Sequence, residues 1–396
     1  MNPWIILRLL NRKKLMDWTP NPLWQQLSST AEDNTFSALH AVYPLSPNWC
    51  TLQFTMSAGQ YTVAWGDSTT ENVNSGVTAY KSFGYDSCPD NDIGKADEVA
   101  CTFTDSGDTV NITGHQFVNG NLVSFSNVKT TTGISAGSLY YVVNSATNTF
   151  KVSNTIGGAA VSLTNDGSGK IYIPKYRTVV VNVTPTTGGA SFTAFNLSVR
   201  HTSATAVTYS TQWLDVAINA QGCTTQTMYS ANVTHANMER FQGDLRLVTN
   251  FTNFLLNCYS LTSVPLLNTA AGTSFAGMFQ NCYSLTSVPL LNTAAGTNFT
   301  SMFQNCYSLV RLPALRTNSG TDFTTMLGGC KSLASAPFVG TAQDINYAST
   351  QLSATELNRI YSQLATAAKT ITITGCYGAT GDDPSIATGK GWTVVG

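Results

Sequence analysis

The residues that most often carry chemistry are sparse in this chain and do not fall at the spacings that catalysis or metal binding requires. The four histidines are far apart, and none belongs to an H-x-x-x-H or H-E-x-x-H arrangement. Neither a phosphate-binding P-loop nor a G-x-G-x-x-G dinucleotide motif occurs. The sequence therefore predicts no catalytic residue, no metal site and no cofactor, and a protein that is not an enzyme.

The acidic residues give two candidate positions, and both favour structural roles. Asp67 follows Gly66 in a turn, where an aspartate commonly accepts hydrogen bonds from its own backbone. Asp382 and Asp383 could form a carboxylate pair, but Asp383 precedes Pro384 and is predicted to cap a short helix. An enzyme that cuts surface polysaccharide needs a pair of acids in a groove, and the repeats described below supply only Asp322.

Four of the nine cysteines fall 24 residues apart, at Cys258, Cys282, Cys306 and Cys330. One cysteine per repeat cannot supply the C-x-x-C pairs of a zinc site, so a buried ladder of thiols is favoured over metal or disulfide use. The other five cysteines are scattered, and among them only Cys88 and Cys101 are placed to pair locally.

The cysteines mark an internal repeat that runs from Phe251 to about Phe338. Asn257–Thr273 and Asn281–Thr297 are identical. A fixed period of this length predicts a solenoid, in which each coil buries its apolar side against its neighbours. The F-x-x-[FM]-x-x-x-C spacing predicts a short helix in each coil, and the S-L-x-x-[VLA]-P segment predicts a brief extended stretch. The pattern resembles the BspA-like leucine-rich repeats.

The candidate binding residues lie on the surface of this repeat. A tyrosine follows the cysteine in three coils, and hydroxyl or cationic residues lie between the buried Leu and Val positions; the predicted ligand-facing residues are Tyr259, Tyr283, Tyr307, Thr262, Thr286 and Arg311. Tyrosine offers an apolar face and a polar tip, which suits contact with carbohydrate or protein. The alternative is a row of tyrosines that only covers the edge of the core.

The region before the repeat is predicted to be a discontinuous β-sandwich, formed by residues 33–85 and 174–220. Tyr61–Trp65 alternates with period two, and Trp65-Gly66-Asp67-Ser68 follows. These features resemble the PKD (polycystic kidney disease) family of β-sandwiches, with Ser68 in place of the last Gly of W-G-D-G. The resemblance implies a sandwich that needs the later strands, which resume at Tyr176.

Residues 86–173 are predicted to form a small β-barrel inserted into a loop of the sandwich. Short strands are expected at Thr109–Ile112, Leu122–Phe125, Leu139–Val143, Thr149–Val152, Ala160–Leu163 and Lys170–Ile173. The sequence from Gly114 to Leu163 resembles a β-barrel module of phage tail and structural proteins, which implies a spacer or contact module without catalysis.

Residues 1–32 are predicted to anchor the chain to a partner protein. Aromatic residues flank two prolines there, and a free tail of this kind would expose a contiguous apolar surface; the residues are Trp4, Trp18, Pro20, Pro22 and Trp24. Packing on the chain's own first domain is the alternative. The apolar part, Trp4–Leu10, is broken by Arg8 and precedes the positive cluster, so no signal peptide is predicted.

The expected fold class is multidomain and mainly β: a PKD/Ig-like sandwich with an inserted barrel, then a leucine-rich-repeat-like α/β solenoid with a cap. The solenoid is assigned to 221–340, with Met238 and Phe241 in a degenerate first coil. The cap, 341–396, should contain a helix opened by Ser353 and Glu356.

Charged residues make up only 10% of the chain, and the net charge is −1. The composition therefore gives no argument for nucleic-acid binding, and no apolar run is long enough to insert into a membrane. Taken together, the resemblances imply a non-enzymatic structural protein of a tailed-phage virion, assembled in the host cytoplasm and present in several copies or as an oligomer. Its expected partners are other virion proteins and a host-surface glycan or protein. A tail or baseplate fibre is favoured; a head decoration fibre and a bacterial surface adhesin with BspA-like repeats are the alternatives.

Overall fold

The computed structural model describes residues 25, 27, 33–44, 48–88, 98–115, 117, 119, 121–154, 158–202, 207–209, 212–230 and 235–396. Of these, 36% lie in strands and 6% are helical, so the fold is mainly β as predicted. The first strands are β1 (Thr35–Val42), β2 (Asn48–Met56), β3 (Gln60–Ala64), β4 (Thr70–Asn74) and β5 (Thr78–Phe83).

The next six strands are β6 (Val99–Thr104), β7 (Thr109–Asn111), β8 (Leu122–Lys129), β9 (Leu139–Val143), β10 (Thr149–Ser153) and β11 (Gly167–Tyr172). They close into a barrel in the order β10-β7-β6-β11-β8-β9, which confirms the predicted small barrel. The prediction of a strand at Ala160–Leu163 is wrong: this segment is irregular and only the Val161 amide bonds to β10, at the Val152 carbonyl (2.8 Å). The sequence patterns did not predict the first strand of the barrel, β6.

Strands on both sides of the barrel in sequence form one β-sandwich. The later strands are β12 (Arg177–Pro185), β13 (Phe192–Asn196), β16 (Trp213–Asn219) and β17 (Thr225–Thr227), while β14 (Arg200–Thr202) and β15 (Val207–Tyr209) pair with each other as a separate two-stranded sheet. β1 pairs with both β12 and β16, and the opposing sheet has the order β17-β13-β2-β5. Phe54 fills the space between the sheets, with its ring centre 5.2 Å from that of Phe36 and 4.6 Å from that of Phe192.

The barrel and the sandwich share a small apolar cluster outside their own cores. It joins Leu39, Ala41, Tyr43 and Leu214 of the sandwich to Leu122 of the barrel. Leu27, which lies in the predicted anchor segment, packs against the same cluster. Leu27 thus contacts the chain's own fold, as in the alternative to a partner anchor.

The solenoid grows directly from the sandwich sheet. β18 (Arg240–Asp244) pairs in parallel with β16, and β19 (Leu267–Asn268) pairs in parallel with β18. One hydrophobic cluster runs without a break from Phe36 in the sandwich to Trp392 near the C-terminus. Met238 and Phe241 are buried in it, so the degenerate first coil rests on the edge of the sandwich.

The prediction of a short helix in each coil is wrong, because these segments are chains of turns. The amides of Phe251, Asn253 and Leu255 donate to carbonyls of the next coil, each at 2.8 Å. The intervening amides close turns within the coil. Asn253 and Asn257 have φ of 57° and 62°, which is the left-handed region, and a residue in that region ends a helix. The segment therefore turns without forming a helix, while its buried residues keep the same spacing. The expected α/β solenoid is therefore a β-solenoid-like stretch.

The extended segments of the coils stack in register as short parallel strands and bridges. The remaining short strands are β20 (Leu315–Arg316), β21 (Phe338–Val339), β22 (Ile345–Asn346), β23 (Thr370–Thr372) and β24 (Thr393–Val395). One column of bridges links Ser287, Arg311 and Ser335, and another links Ser274, Asn298 and Asp322.

Two α-helices lie in the described residues of the last coils, α1 (Ala354–Gln363) and α2 (Ser385–Thr388). Ser353 caps α1 by accepting the Glu356 amide at 3.3 Å, as predicted. Glu356 does not complete the capping box, because its carboxylate accepts the Ala336 amide at 3.2 Å and so ties the helix to the preceding coil. Asp383 accepts the Ser385 amide at 3.1 Å at the start of α2, which confirms its predicted capping role.

Candidate functional site

The three predicted tyrosines form a continuous stack on the surface of the solenoid. The ring centres of Tyr259 and Tyr283 are 4.9 Å apart, and those of Tyr283 and Tyr307 are 5.0 Å apart. The planes differ by 25° and 23°. Equivalent positions come together because the 24-residue period brings the chain back to the same place in each coil.

Stacking leaves different surfaces of these rings available. Each face of Tyr283 is covered by a neighbouring tyrosine, so it offers mainly its edge and hydroxyl. Burial raises the pKa of Tyr283 to about 12, and the pKa of Tyr259 is raised further, by burial first and then by Tyr283. Tyr307 ends the stack, is 42% exposed and is followed in the next coil by Lys331. The open aromatic surface is therefore concentrated at Tyr307.

The predicted hydroxyl and cationic residues follow the tyrosines by three or four positions in the chain and differ in their exposure. The Thr262 hydroxyl donates to the Glu239 carbonyl at 3.0 Å, and the side chains of both Thr262 and Thr286 are half-buried. Arg311 is exposed, and its strand position lies between Ser287 and Ser335 of the neighbouring coils. Of the predicted set, Tyr307 and Arg311 are the most accessible.

One aromatic ladder and one thiol ladder run through the buried interior of the solenoid. Phe251, Phe275, Phe299 and Phe323 stack with ring-centre distances of 5.8, 5.6 and 5.2 Å. The Cys282 thiol donates to the Leu255 carbonyl at 3.2 Å, and Cys306 donates to the Phe279 carbonyl at 3.1 Å. Burial raises the pKa of the Cys330 thiol to about 12, so these thiols are protonated core groups at neutral pH.

All nine cysteines are free thiols and buried. Cys88 belongs to the sandwich core and Cys101 to the barrel core, so the local pairing considered for them does not occur. Cys376 continues the solenoid ladder, because its thiol donates to the Tyr347 carbonyl at 3.0 Å. That continuation was hidden in the sequence, since the last coils carry helices and lose the 24-residue spacing.

Polar ladders that sequence reasoning missed also join the coils. The side-chain amide of Asn281 donates to the side-chain oxygen of Asn257 at 2.7 Å, and the side-chain amide of Asn305 donates to the side-chain oxygen of Asn281 at 2.9 Å. Thr293 is buried, and its hydroxyl donates to the Arg316 carbonyl at 2.7 Å. Asn and Thr recur at equivalent positions of successive coils, and this spacing was the sequence signal for the polar ladders. Composition alone suggests only that Asn and Thr form turns.

The acidic candidates hold structure together. Asp67 accepts the Thr69 amide at 3.2 Å within its own turn and pairs with Lys81 at 2.6 Å. Asp215, which the sequence did not single out, is buried and accepts the Arg240 Nε at 2.8 Å where the solenoid joins the sandwich. Asp382 accepts the Tyr361 hydroxyl at 2.5 Å.

Groups suited to catalysis or metal binding are not brought together in the described part of the chain. His40 and His235 are buried in separate places, and no three His, Cys, Asp or Glu residues among those described are placed to hold a metal ion. A G-x-S-x-G sequence, Gly133–Gly137, lies in the loop between β8 and β9 and not at the strand-to-helix turn of a nucleophile elbow. The Ser135 amide there donates to the Tyr140 hydroxyl at 2.8 Å.

The predicted anchor residues Trp4, Trp18, Pro20, Pro22 and Trp24 lie outside the described residues. No helix among the residues described is long and apolar enough to cross a membrane. No protein-family model, curated protein or solved structure gives a significant match to this chain.

Proposed function

We propose that this chain is a non-enzymatic structural protein of a tailed-phage particle, attached through residues 1–32 and presenting the solenoid for binding. A tail or baseplate fibre is the favoured position, and the ligand is a glycan or protein on the host surface. The observation that carries the binding role is the stack of tyrosines ending at the exposed Tyr307, with Arg311 four residues further on.

Three features support a display role. The sandwich sheet continues into the solenoid through β16, β18 and β19, so the proposed binding face is built directly onto the sandwich. The charged content of 10% leaves a surface rich in hydroxyl and amide groups, which match the hydrogen-bonding groups of carbohydrates. The resemblance of the barrel sequence to a module of phage structural proteins favours a virion as the location.

Two other locations fit the same geometry. A head decoration fibre would use the same attachment and display, and a bacterial surface adhesin is favoured by the likeness of the coils to BspA-like repeats. Immunogold labelling with antibodies against the purified chain separates them. Label on tails supports the proposal, label on heads indicates the decoration fibre, and label on bacterial envelopes without particles contradicts a virion role.

Attachment is tested by replacing two aromatic residues of the anchor in the full chain. We expect Trp18→Ala combined with Trp24→Ala to abolish incorporation into particles, because it removes apolar surface from the proposed contact. Tyr377→Ala is the control, since Tyr377 is 77% exposed at the opposite end of the chain. Equal incorporation of the double variant and the control, measured by immunoblotting of purified particles, would rule out attachment through these tryptophans.

A further inference from the structure

The third and fourth coils differ from the first two at the surface positions next to the tyrosine stack. The first two coils read Tyr-Ser-Leu-Thr-Ser, whereas the third has Val310 and Arg311 at the last two positions, and the fourth replaces the tyrosine with Lys331. The buried positions keep their character through this change, since Leu309 and Leu333 are fully buried like Leu285. The changes therefore alter the surface and leave the core intact.

These changes add positive charge to this stretch of the solenoid. Between Phe251 and Phe338 there are three basic residues, Arg311, Arg316 and Lys331, and one acidic residue, Asp322, so this stretch has a net charge of 3 − 1 = +2. The chain as a whole is at −1. A local positive charge on a nearly uncharged surface attracts anions.

Arg311 differs from two other arginines of the solenoid. Arg240 in β18 pairs with Asp215, and Arg359 in α1 pairs with Glu356. Arg311 lies between them with no ion pair to any acid that the structure describes. A guanidinium that is exposed and unpaired can bind a carboxylate or sulfate through two parallel hydrogen bonds.

The groups around Arg311 favour a saccharide over an acidic peptide. Tyr307 is 42% exposed, and no ring in the described part of the chain stacks on its second face, so it provides an apolar platform. The side chains on either side of Arg311 in its column are hydroxyls, Ser287 and Ser335. An aromatic platform, hydroxyls and one guanidinium match a sugar ring that carries an acidic group.

We propose that Tyr307, Arg311 and Lys331 form a subsite for an acidic polysaccharide, one bearing carboxylate or sulfate groups. This inference rests on the proposed binding role of the solenoid and names its ligand class. Arg311 contacts the acidic group, Lys331 adds to the local positive charge, and Tyr307 packs against the ring. The tyrosines deeper in the stack act as the support of this subsite.

The chain supplies its own test substitutions. Arg311→Ser restores the residue present at the same position in the first two coils, Ser263 and Ser287, so the fold tolerates it. Arg316→Asn is the matched control: it also removes one exposed positive charge, and Asn268 and Asn292 occupy the same position in the first two coils. Unchanged melting temperatures of both full-length variants establish that folding is unaffected.

The probes are polygalacturonate, heparin, neutral dextran and polyglutamate, with binding measured by biolayer interferometry at low and high salt. We expect wild-type protein to bind at least one acidic polysaccharide, Arg311→Ser to bind it about tenfold more weakly, and Arg316→Asn to bind within about twofold of wild type. Preference for polygalacturonate or heparin identifies carboxylate or sulfate as the acidic group.

Several results would overturn the subsite. Equal weakening by both variants would show attraction to charge in general, and equal binding of polyglutamate would indicate an acidic peptide. If dextran binds and Arg311→Ser binds it equally well, the ligand does not need an acidic group. The solenoid would then still bind a glycan, but without the proposed subsite. Absence of binding to every probe contradicts the inference, and labelling of particles would still decide the proposed function separately.

Discussion

At the scale of single residues, most groups that look reactive in the sequence are buried parts of the core. Burial lowers the pKa of His40 to about 3 and that of His235 to about 4, against 6.5 for an exposed histidine. The ring of His40 packs edge-on against Trp213, with the ring centres 5.1 Å apart. Both imidazoles are therefore neutral in the folded chain near neutral pH.

Acid should destabilise the fold through these two histidines. A histidine whose folded pKa lies below its unfolded value contributes full stability above pH 6.5 and loses it as the pH falls toward the folded pKa. Between pH 7.5 and 5.5 each should cost about 1.4 kcal/mol of unfolding free energy. Urea unfolding of wild type and His40→Phe at both values measures this.

We expect the loss of unfolding free energy between the two pH values to be about 1.4 kcal/mol smaller in His40→Phe than in wild type. Comparing each protein with itself at two pH values removes any change in packing from the substitution. An equal loss in both proteins would mean that His40 is protonated in the folded chain or is not buried as described.

At the scale of elements, the sequence correctly predicts strands and coils that follow a periodic pattern of residues. It does not predict segments whose backbone adopts an unusual conformation. Tyr61–Trp65 alternates and most of it is a strand, β3, as expected. The spacing of Phe251, Phe254 and Cys258 fits a helix equally well as a chain of turns. Only the left-handed φ of Asn253 and Asn257 separates the two, and a sequence pattern does not reveal φ.

The contacts of the candidate site also fall into those that the repeat spacing predicts and those that it does not. The sequence brought Tyr259, Tyr283 and Tyr307 together correctly, because equal spacing in a solenoid dictates contact between equivalent residues. It could not show that stacking covers the face of Tyr283 or that the Thr262 hydroxyl bonds to backbone, since both depend on side-chain direction. Because of these contacts, the most accessible residues of the candidate site are Tyr307 and Arg311.

At the scale of the whole molecule, the sandwich and the solenoid share one core while the barrel has its own. The barrel cluster includes Phe103, Phe125 and Phe150 and is separate from the cluster that links Phe36 to the last coil. Within the described ranges, the two cores meet through the small cluster around Leu39. Sandwich and solenoid should therefore gain and lose stability together.

Destabilising one coil should loosen the sandwich and spare the barrel. Phe275→Ala removes a fully buried ring from the stack and should cost about 3–5 kcal/mol. We expect faster hydrogen exchange, measured by mass spectrometry, in peptides covering β1 and β16 and unchanged exchange in β8. Leu290→Ala, at a position that is 72% exposed, is the control and should change neither. Unchanged exchange in β1 would contradict a shared core.

The most direct test of the account is to locate the chain on intact phage particles by cross-linking and mass spectrometry. We expect the chain to be a component of the purified particle and Lys13 and Lys14 to cross-link to another virion protein. We expect Lys331, which is exposed on the solenoid, not to cross-link to other virion proteins. Absence of the chain from particles, or cross-links to the virion from Lys331 and none from Lys13 or Lys14, would contradict it.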